Sequence, residues 1–273
     1  MKIIVTGSAG FIASHLMDRL GKHQVFAMDK RIGSSTANLD ILRNTCQLFK
    51  PDMIVHLGAN CSSQISLRDP QLDFIDNVAG TFNVCLVAAD YNIPVIFNSS
   101  MKVYPGEDGI IPPYGRSKLI GEDYLRLFNK LYGVQYIINR PSSVYGPRQE
   151  GSEDGGWFTW FIKACINNVP VTLFGDGTQS RDVLYIDDCV DILKDQVDNF
   201  EKYANQEFDF GGGIENEVSL NELLNTLDYH KVKYAPKLPG DVQRFVSDNK
   251  CMGDWKPKVH WTDGLLKTWD YFA

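Results

Sequence analysis

A tyrosine and a lysine at helical spacing are the clearest chemical feature of this 273-residue sequence. Tyr114 and Lys118 lie in the segment YGRSK, and their spacing places them on one face of a helix that we predict to continue to about Tyr132. A phenol with its usual pKa near ~10 is a poor base at neutral pH, but a neighbouring lysine cation favours the phenolate. The pair therefore has the chemistry needed to move a proton to or from a substrate hydroxyl.

A serine upstream of this pair follows a short apolar segment. We predict a strand over 95–98, and Ser99 and Ser100 come directly after it. Ligands of parallel α/β folds bind at the carboxyl ends of the strands, so Ser100 is expected at that edge, where its hydroxyl can hydrogen-bond the reacting oxygen. Alone, the YxxxK spacing would fit an exposed helical pair and Ser100 a turn or cap, but the combination with Tyr114 and Lys118 predicts an active site.

A glycine-rich turn follows the first predicted strand, over 2–6. Gly7 begins the segment GSAGFIA, in which small residues let backbone N–H groups approach a pyrophosphate at the start of a helix. Asp29 follows the second strand, about twenty residues later, and suits the ribose hydroxyls of adenosine while repelling a 2′-phosphate. This favours NAD, and NADP is left as the alternative because Lys30 and Arg31 come next.

Short β-branched strands alternate with amphipathic helical segments in the first half of the chain. The strands are predicted at 2–6, 24–28, 53–57, 95–98 and 135–139. This alternation predicts an α/β fold with a doubly wound parallel sheet. We assign 1–150 to a dinucleotide-binding Rossmann domain and 151–273 to a smaller C-terminal substrate-binding lobe, from which the chain crosses back to the first domain. The lobe should contain helices at 157–167, after the SxxE capping box at 219–222, and from 262 onward.

Composition and charge restrict the partners and the location that we expect. With 27 basic and 34 acidic residues the formal net charge is -7, and the basic residues are scattered, which argues against nucleic acid or an anionic membrane as a partner. The six cysteines form no CxxC pair and no metal-binding pattern with histidine, so we expect no metal. No membrane-spanning run or cleavable signal pattern is evident, so a soluble, cytoplasmic protein is expected.

Ordered sequence blocks along nearly the whole chain resemble the extended short-chain dehydrogenase/reductase family, in particular its NAD-dependent epimerase/dehydratase branch, which acts on nucleotide sugars. The blocks are TGSAGFIASH at the start, IVHLGA at 54–59, NVAGTFNV at 77–84, SSMKVY at 99–104, PYGRSK at 113–118, RPSSVYGPRQ at 140–149, GDGTQSRDVLYIDD at 175–188 and PGDV at 239–242.

The resemblance implies roles for individual residues. Ser100, Tyr114 and Lys118 match the catalytic triad, and Lys118 would also reach the nicotinamide ribose. Arg181 matches an arginine that meets the substrate diphosphate, and Ser143 stands where the family often has an asparagine for the same purpose. The positions expected to line the dinucleotide, together with Tyr114 and Lys118, are Gly7, Gly10, Phe11, Ile12, Asp29, Leu57, Ala59 and Asn77.

Departures from the family pattern bear on the substrate and the reaction. A second arginine is expected before the GD of PGDV, but Leu238 stands there, and Lys237 is one residue out of register. Dehydratases and decarboxylases of this branch usually carry an acid just after the catalytic serine or threonine, where this chain has Met101 and Lys102. Neither side chain can act as a carboxylate, so elimination is disfavoured.

The function implied by the resemblance is that of a nucleotide-sugar epimerase, similar to 4-epimerases, that transfers hydride transiently to bound NAD. The alternative is an NAD(P)H-dependent reductase of a 4-keto nucleotide sugar, and a non-catalytic NAD-binding protein is disfavoured because both catalytic residues are retained. The helices around 76–89 and 117–131 carry apolar stripes. In the family such helices pair into a four-helix bundle, so we expect a homodimer; the alternative is that the stripes face their own sheet.

Overall fold

The computed structural model describes residues 1–273. The strands, named β1 to β12 in chain order, are Lys2–Thr6, Gln24–Met28, Met53–His56, Val95–Asn98, Tyr136–Pro141, Ser143–Tyr145, Val171–Phe174, Ser180–Tyr185, Gln206–Phe210, Glu217–Ser219, Val232–Ala235 and Arg244–Phe245. The helices, named α1 to α10, are Phe11–Arg19, Leu39–Phe49, Ser63–Arg68, Pro70–Tyr91, Pro113–Tyr132, Trp157–Ile166, Ile186–Asp198, Phe200–Tyr203, Leu220–Thr226 and Trp261–Phe272.

A six-stranded parallel sheet forms the centre of the molecule, in the order β2-β1-β3-β4-β5-β9. Successive side chains of a strand point to opposite faces, and the four inner strands β1, β3, β4 and β5 are buried on both faces. Ile3 and Val5 of β1 belong to a cluster that includes residues of α1 and α7. Ile4 belongs to a second cluster, built with residues of α2, α4 and α5. The doubly wound parallel fold predicted from the sequence is therefore confirmed.

Strand β2 lies at the edge of this sheet. In the usual dinucleotide-binding order a further strand lies outside the second one. Here the chain passes from β2 through α2 directly into β3, which pairs with β1 on the opposite side, so β2 has a single partner strand. The two residues Gln24 and Ala27 on this edge are exposed. On the side of β1 that leads to Asp29, the sheet therefore contains one further strand, β2.

The second half of the chain both extends this sheet and builds smaller ones. Strand β9 pairs in parallel with β5, so the chain does return to the first half, as expected. Strands β6, β10 and β12 all pair with β8, and β7 pairs with β11. The predicted capping box opens α9, where the Ser219 hydroxyl accepts a hydrogen bond from the Glu222 backbone at 3.1 Å. The predicted helices at 157–167 and from 262 are present as α6 and α10 within one residue of the predicted starts.

Helix α4 combines an apolar sequence with an irregular turn. By length and composition it could cross a membrane, with a mean hydropathy of 1.3, and 56% of its apolar window is buried inside the fold. The buried side of α4 packs against α2 and α5. Between residues Phe74 and Ala79 the helix widens into a π turn, a feature that often re-aims side chains at functional sites.

Candidate active site

Ser100, Tyr114 and Lys118 converge at the carboxyl end of β4. Tyr114 is in the first turn of α5, where its backbone N–H donates to the Ser66 hydroxyl at 2.6 Å. The next residue is Gly115, and a Cβ atom there would overlap the carbonyl of Lys102, so only glycine lets α5 approach the turn after Ser100 this closely. The Ser100 hydroxyl is near enough to the Tyr114 phenol to lower the pKa of that phenol. The structure thus brings together the three residues that the sequence analysis singled out.

Lys118 is a buried cation. Lys118 is 3% exposed. Its Nζ atom donates to the backbone carbonyl of Asn98 at 2.8 Å and lies 4.8 Å from the centre of the Phe97 ring. Burial lowers the pKa of Lys118 to about 8, although nearby acidic groups act in the opposite direction. Lys118 therefore keeps its proton at neutral pH, but with a much smaller margin than an exposed lysine.

Tyr114 lies one helical turn before Lys118 and is buried, with 8% of the residue exposed. Burial raises the pKa of its phenol above the ordinary value, and the Ser100 hydroxyl opposes that rise. In the free protein Tyr114 is therefore a phenol, which is the form that donates a proton. Forming the phenolate requires additional positive charge next to the ring, such as a cationic nicotinamide provides.

Ser100 has a structural task as well as its contact with Tyr114. Its hydroxyl caps the short 3-10 turn at Met101–Val103 by accepting from the Lys102 backbone at 3.2 Å. The cap that the sequence allows for Ser100 is therefore present, and its catalytic role stays a prediction. Capping fixes the serine rotamer, because an accepted backbone hydrogen bond holds the oxygen at the start of the turn.

An ion network below the site holds the end of β4 against α5. The fully buried carboxylate of Glu122 accepts from the Ser99 hydroxyl at 2.6 Å, from Arg126 at 2.8 Å and from Arg140 Nε at 2.7 Å. Both arginines also pair with Glu207 on β9. Glu122 lies one helical turn after Lys118, so the network fixes the helix that carries the lysine and the strand end that carries the serine.

A chain of polar side chains connects the π turn of α4 to Tyr114. The Asn77 side chain accepts from the Asn60 backbone at 2.8 Å and donates to the Ser117 hydroxyl at 2.9 Å, which in turn donates to the Tyr114 carbonyl at 2.7 Å. Asp73 accepts from the Asn60 side chain at 2.6 Å, and its second oxygen is buried without a partner. Sequence reasoning found Asn77 but missed this acid, whose only signal was a charge inside an apolar helix.

The glycine-rich loop forms a cradle with the end of β3. Gly7 has a positive φ of 66°, and a Cβ atom there would lie 2.6 Å from the Cα of Gly58. Helix α1 begins after Gly10 without any side-chain cap, so the N–H groups of its first turn are left for an anion. The close-packed backbone at Gly7 and the uncapped start of α1 are the observations that favour a dinucleotide here.

The carboxylate of Asp29 lies beside this cradle and is 6% exposed. It accepts from the Ala9 backbone at 3.1 Å and from the Arg31 backbone at 2.8 Å. Burial alone would raise its pKa, but hydrogen bonds from the Arg31 side chain and these two backbone groups outweigh burial and lower the pKa. Lys30 pairs with Asp76 instead of facing the loop. Lys30 and Arg31, the two cations for which NADP was kept as an alternative, are therefore both paired with carboxylates. This pairing agrees with NAD as the cofactor.

The remaining dinucleotide positions surround the same cradle. Phe11 and Ile12 lie in the first turn of α1, and Leu57 and Ala59 follow β3; all four are partly exposed. The active-site pair is next to this cradle, because Lys118 is close enough to His56, the last residue of β3, to help burial lower the histidine pKa to about 3. The positions expected to bind the cofactor therefore lie next to the positions expected to be catalytic.

The two predicted substrate positions lie on neighbouring strands of the small sheet. Ser143 of β6 pairs with Val183 of β8, two residues beyond Arg181. Arg181 has a side chain that is 7% exposed, and its Nη2 atom lies 2.7 Å from a carboxylate oxygen of Asp241. Lys237 points elsewhere and pairs with the exposed Glu107 at 3.0 Å. A cation from Lys237 therefore does not replace the arginine that the family pattern expects nearby.

Comparisons with known proteins agree with this arrangement. Residues 3–208 match the model of the NAD-dependent epimerase/dehydratase family. A putative UDP-glucose 4-epimerase of Methanocaldococcus jannaschii is 30% identical over 97% of this chain and 96% of its own length. The structure of a Thermotoga maritima UDP-glucose 4-epimerase with UDP-glucose superposes with a TM-score of 0.88 at 30% identity, covering 100% of this chain and 98% of that one. A UDP-glucuronic acid 4-epimerase from Bacillus cereus, in complex with UDP-glucuronic acid and NAD, gives a TM-score of 0.89 at 27% identity, covering 100% and 99%.

Proposed function

The chain belongs to the NAD-dependent epimerase/dehydratase family, and we propose that it interconverts UDP-sugars that differ in configuration at C4 of the sugar. The observation that carries this proposal is the convergence of Ser100, Tyr114 and Lys118 beside the dinucleotide cradle. The names of its relatives support UDP as the nucleotide and C4 as the position. Bound NAD supplies a hydride acceptor, and later a hydride donor, for the sugar carbon.

The protein contributes the proton chemistry and the orientation of the sugar. In the oxidation step, the Tyr114 phenolate takes the proton of the C4 hydroxyl as the C4–H bond is broken, and a ketone forms at C4. The Ser100 hydroxyl donates a hydrogen bond to the same oxygen, and the Lys118 cation stabilises the phenolate by its charge. The keto-sugar then rotates so that its other face is presented to the hydride. Tyr114 returns the proton to the C4 oxygen as hydride is delivered to that opposite face of C4. One sugar is converted into its epimer with no net change in the cofactor.

Met101 and Lys102, which directly follow Ser100, support epimerisation over elimination. Met101 is buried at 3% exposure, and Lys102 presents a cation where an acid would be needed to exchange protons next to the carbon being oxidised. Neither side chain is a carboxylate, the group that this branch uses to exchange a proton with carbon. The keto-sugar should therefore be reduced again before anything is eliminated from it.

Turnover with defined substrates tests this proposal. The protein should be incubated with UDP-glucose, UDP-galactose and UDP-glucuronate, with products followed by NMR and NADH by absorbance. We expect interconversion of a C4 pair without net NADH, and a loss of roughly 10²- to 10⁴-fold in kcat for Tyr114→Phe, since a proton-transfer group is removed. The variant should still bind NAD. Full activity of Tyr114→Phe, or consumption of NADH in proportion to product, would contradict the proposed mechanism.

The assignment of the lobe, the assembly and the location are part of the same proposal. Residues 1–150 would bind NAD, and residues 151–273 would hold the nucleotide sugar through Arg181, with Ser143 contributing from the end of the first domain. We also propose a cytoplasmic location and a homodimer, and the homodimer is supported by exposed apolar side chains on α4 and α5, where Phe74 is 63% exposed and Leu131 is 61% exposed. A second copy would cover them. Light scattering at micromolar concentration should give the mass of two chains, and the mass of one would refute the dimer.

A further inference from the structure

Two cations from distant parts of the chain converge on one carboxylate oxygen beside the active site. Lys102 Nζ lies 3.2 Å, and Arg181 Nη2 lies 2.7 Å, from Oδ1 of Asp241. Lys102 is two residues after Ser100, so this cluster adjoins the reacting end of the site. The side chains of Lys102, Arg181 and Asp241 are 23%, 7% and 16% exposed, which leaves little water to solvate their charges.

The cluster pairs two cations with one carboxylate, while Glu107 and Asp182 act on Arg181 from farther away. Asp241 is the only carboxylate that pairs with either cation, and the other hydrogen bond of Arg181 goes to the neutral carbonyl of Ser180 at 2.6 Å. Burial lowers the pKa of Lys102, and the Asp241 carboxylate opposes this effect. A surplus positive charge at low exposure is stabilised by an additional anion, and a group with several oxygens can hydrogen-bond both cations at once.

Lys102 also stands where a missing cation is needed. The family pattern has a second arginine at the position of Leu238, which is apolar here. Its neighbour Lys237 pairs with Glu107 at 3.0 Å, and the Lys237 side chain is 42% exposed. Lys102, unlike Lys237, hydrogen-bonds the same acceptor atom as Arg181, which is Oδ1 of Asp241.

We propose that Lys102 acts with Arg181 to hold the diphosphate of the substrate, in place of the absent arginine. This inference rests on the proposed function, since it names a contact of the same nucleotide sugar. Oδ1 of Asp241 marks a point that both cations reach, and a phosphate oxygen at that point would displace the carboxylate. Because this contact is the same before and during the chemical step, its loss should raise KM more than it lowers kcat.

Calorimetric titration of UDP into the NAD-loaded protein tests the proposal. The variants are Lys102→Met, the matched Lys237→Met, and Lys102→Arg, which keeps the charge. We expect Lys102→Met to raise the Kd for UDP by about tenfold to a hundredfold, the range for losing a charge-assisted hydrogen bond. Lys237→Met should change the Kd by less than about twofold, as usual for an exposed pair. Lys102→Arg should recover most of the lost affinity.

Three results would overturn the assignment to the diphosphate. Equal Kd values for Lys102→Met and Lys237→Met would remove Lys102 from the binding site. An equal weakening of uridine, which has no phosphate, would indicate a general distortion of the lobe. A loss confined to UDP-glucuronate would move the contact to a sugar carboxylate. If the wild type itself neither binds UDP nor epimerises UDP-sugars, the proposed function fails as well, and this outcome is distinct from a defect of the variant alone.

Discussion

Replacing Lys118 by methionine should abolish activity and, at neutral pH, make the protein more stable. Methionine is a good helix former of similar length, so it can fill the same space in α5 without carrying a charge. What it removes is a cation whose burial is unfavourable. The stability of this enzyme and the chemistry of its active site should therefore respond to Lys118→Met in opposite directions.

The expected gain follows from the displaced pKa of Lys118. Burial takes it from 10.5 to about 8, and at roughly 1.36 kcal/mol for each unit the charged lysine costs about 3 kcal/mol in the folded state below pH 8. The variant also leaves the Asn98 carbonyl, which now accepts from Nζ at 2.8 Å, without a donor. That loss is about 1 kcal/mol. The variant should therefore be more stable than the wild type by about 2 kcal/mol at pH 7.

The difference should depend on pH in a defined direction. Between about pH 8 and 10.5 the unfolded chain keeps a proton on this lysine that the folded protein has released, so the stability of the wild type rises with pH. The variant lacks this rise. The two free energies of unfolding should thus approach each other above pH 8 and cross near the upper end of that window.

Urea unfolding at pH 7 and at pH 10 measures this effect. Lys130→Met is the matched control, because Lys130 is exposed in the last turn of the same helix, and its replacement should change stability by less than about 0.5 kcal/mol at both pH values. A Lys118→Met protein that is less stable than the wild type at pH 7 would refute the reasoning. So would a difference that stays constant between the two pH values.

Two further substitutions test the support of the site and the cradle. Glu122→Gln removes a fully buried charge that faces two partly buried arginines and should lower the free energy of unfolding by about 3 kcal/mol. Asp123→Asn, which removes an exposed partner of Arg126, should lower it by less than about 1 kcal/mol, and similar urea midpoints for the two variants would refute the network. Gly7→Ala forces a Cβ atom against the loop after β3, so the strained backbone must shift away from the pyrophosphate. Calorimetry should show NAD binding weakened at least about tenfold. In the control Gly21→Ala the new Cβ atom meets nothing within 4 Å, and equal NAD affinity of the two variants would contradict the cradle.

The sequence was sufficient where the information was local. The first five parallel strands were predicted because continuous β-branched runs are typical of strands covered on both faces. The catalytic spacing on α5 could be predicted as well, because residues four apart share a helix face. Strand β9 was not among the predicted strands, since Gln206–Phe210 is short, has only two apolar residues, and is buried through pairing with the distant β5.

The parts of the site that escaped prediction depend on contacts across long sequence separations. Lys102, Arg181 and Asp241 come from three segments, and no local pattern indicates that they share one oxygen. Asp73 is similar, because its buried carboxylate is set against Asn60 by the π turn of α4. Such pairings are decided by how loops pack on the sheet, which the sequence of each loop alone does not specify.

The position of β2 at the rim of the sheet has a kinetic consequence. The adenosine half of NAD is expected beside Asp29, at the end of β2. Because β2 is the edge strand, no further strand covers the adenosine on the side away from β1. With less surface around this half, NAD should leave faster than from a wider sheet. A chain purified without added NAD would then be partly empty, and its epimerase rate would rise with external NAD concentration even though each cycle regenerates the cofactor. Gel filtration followed by assay with and without NAD measures this dependence.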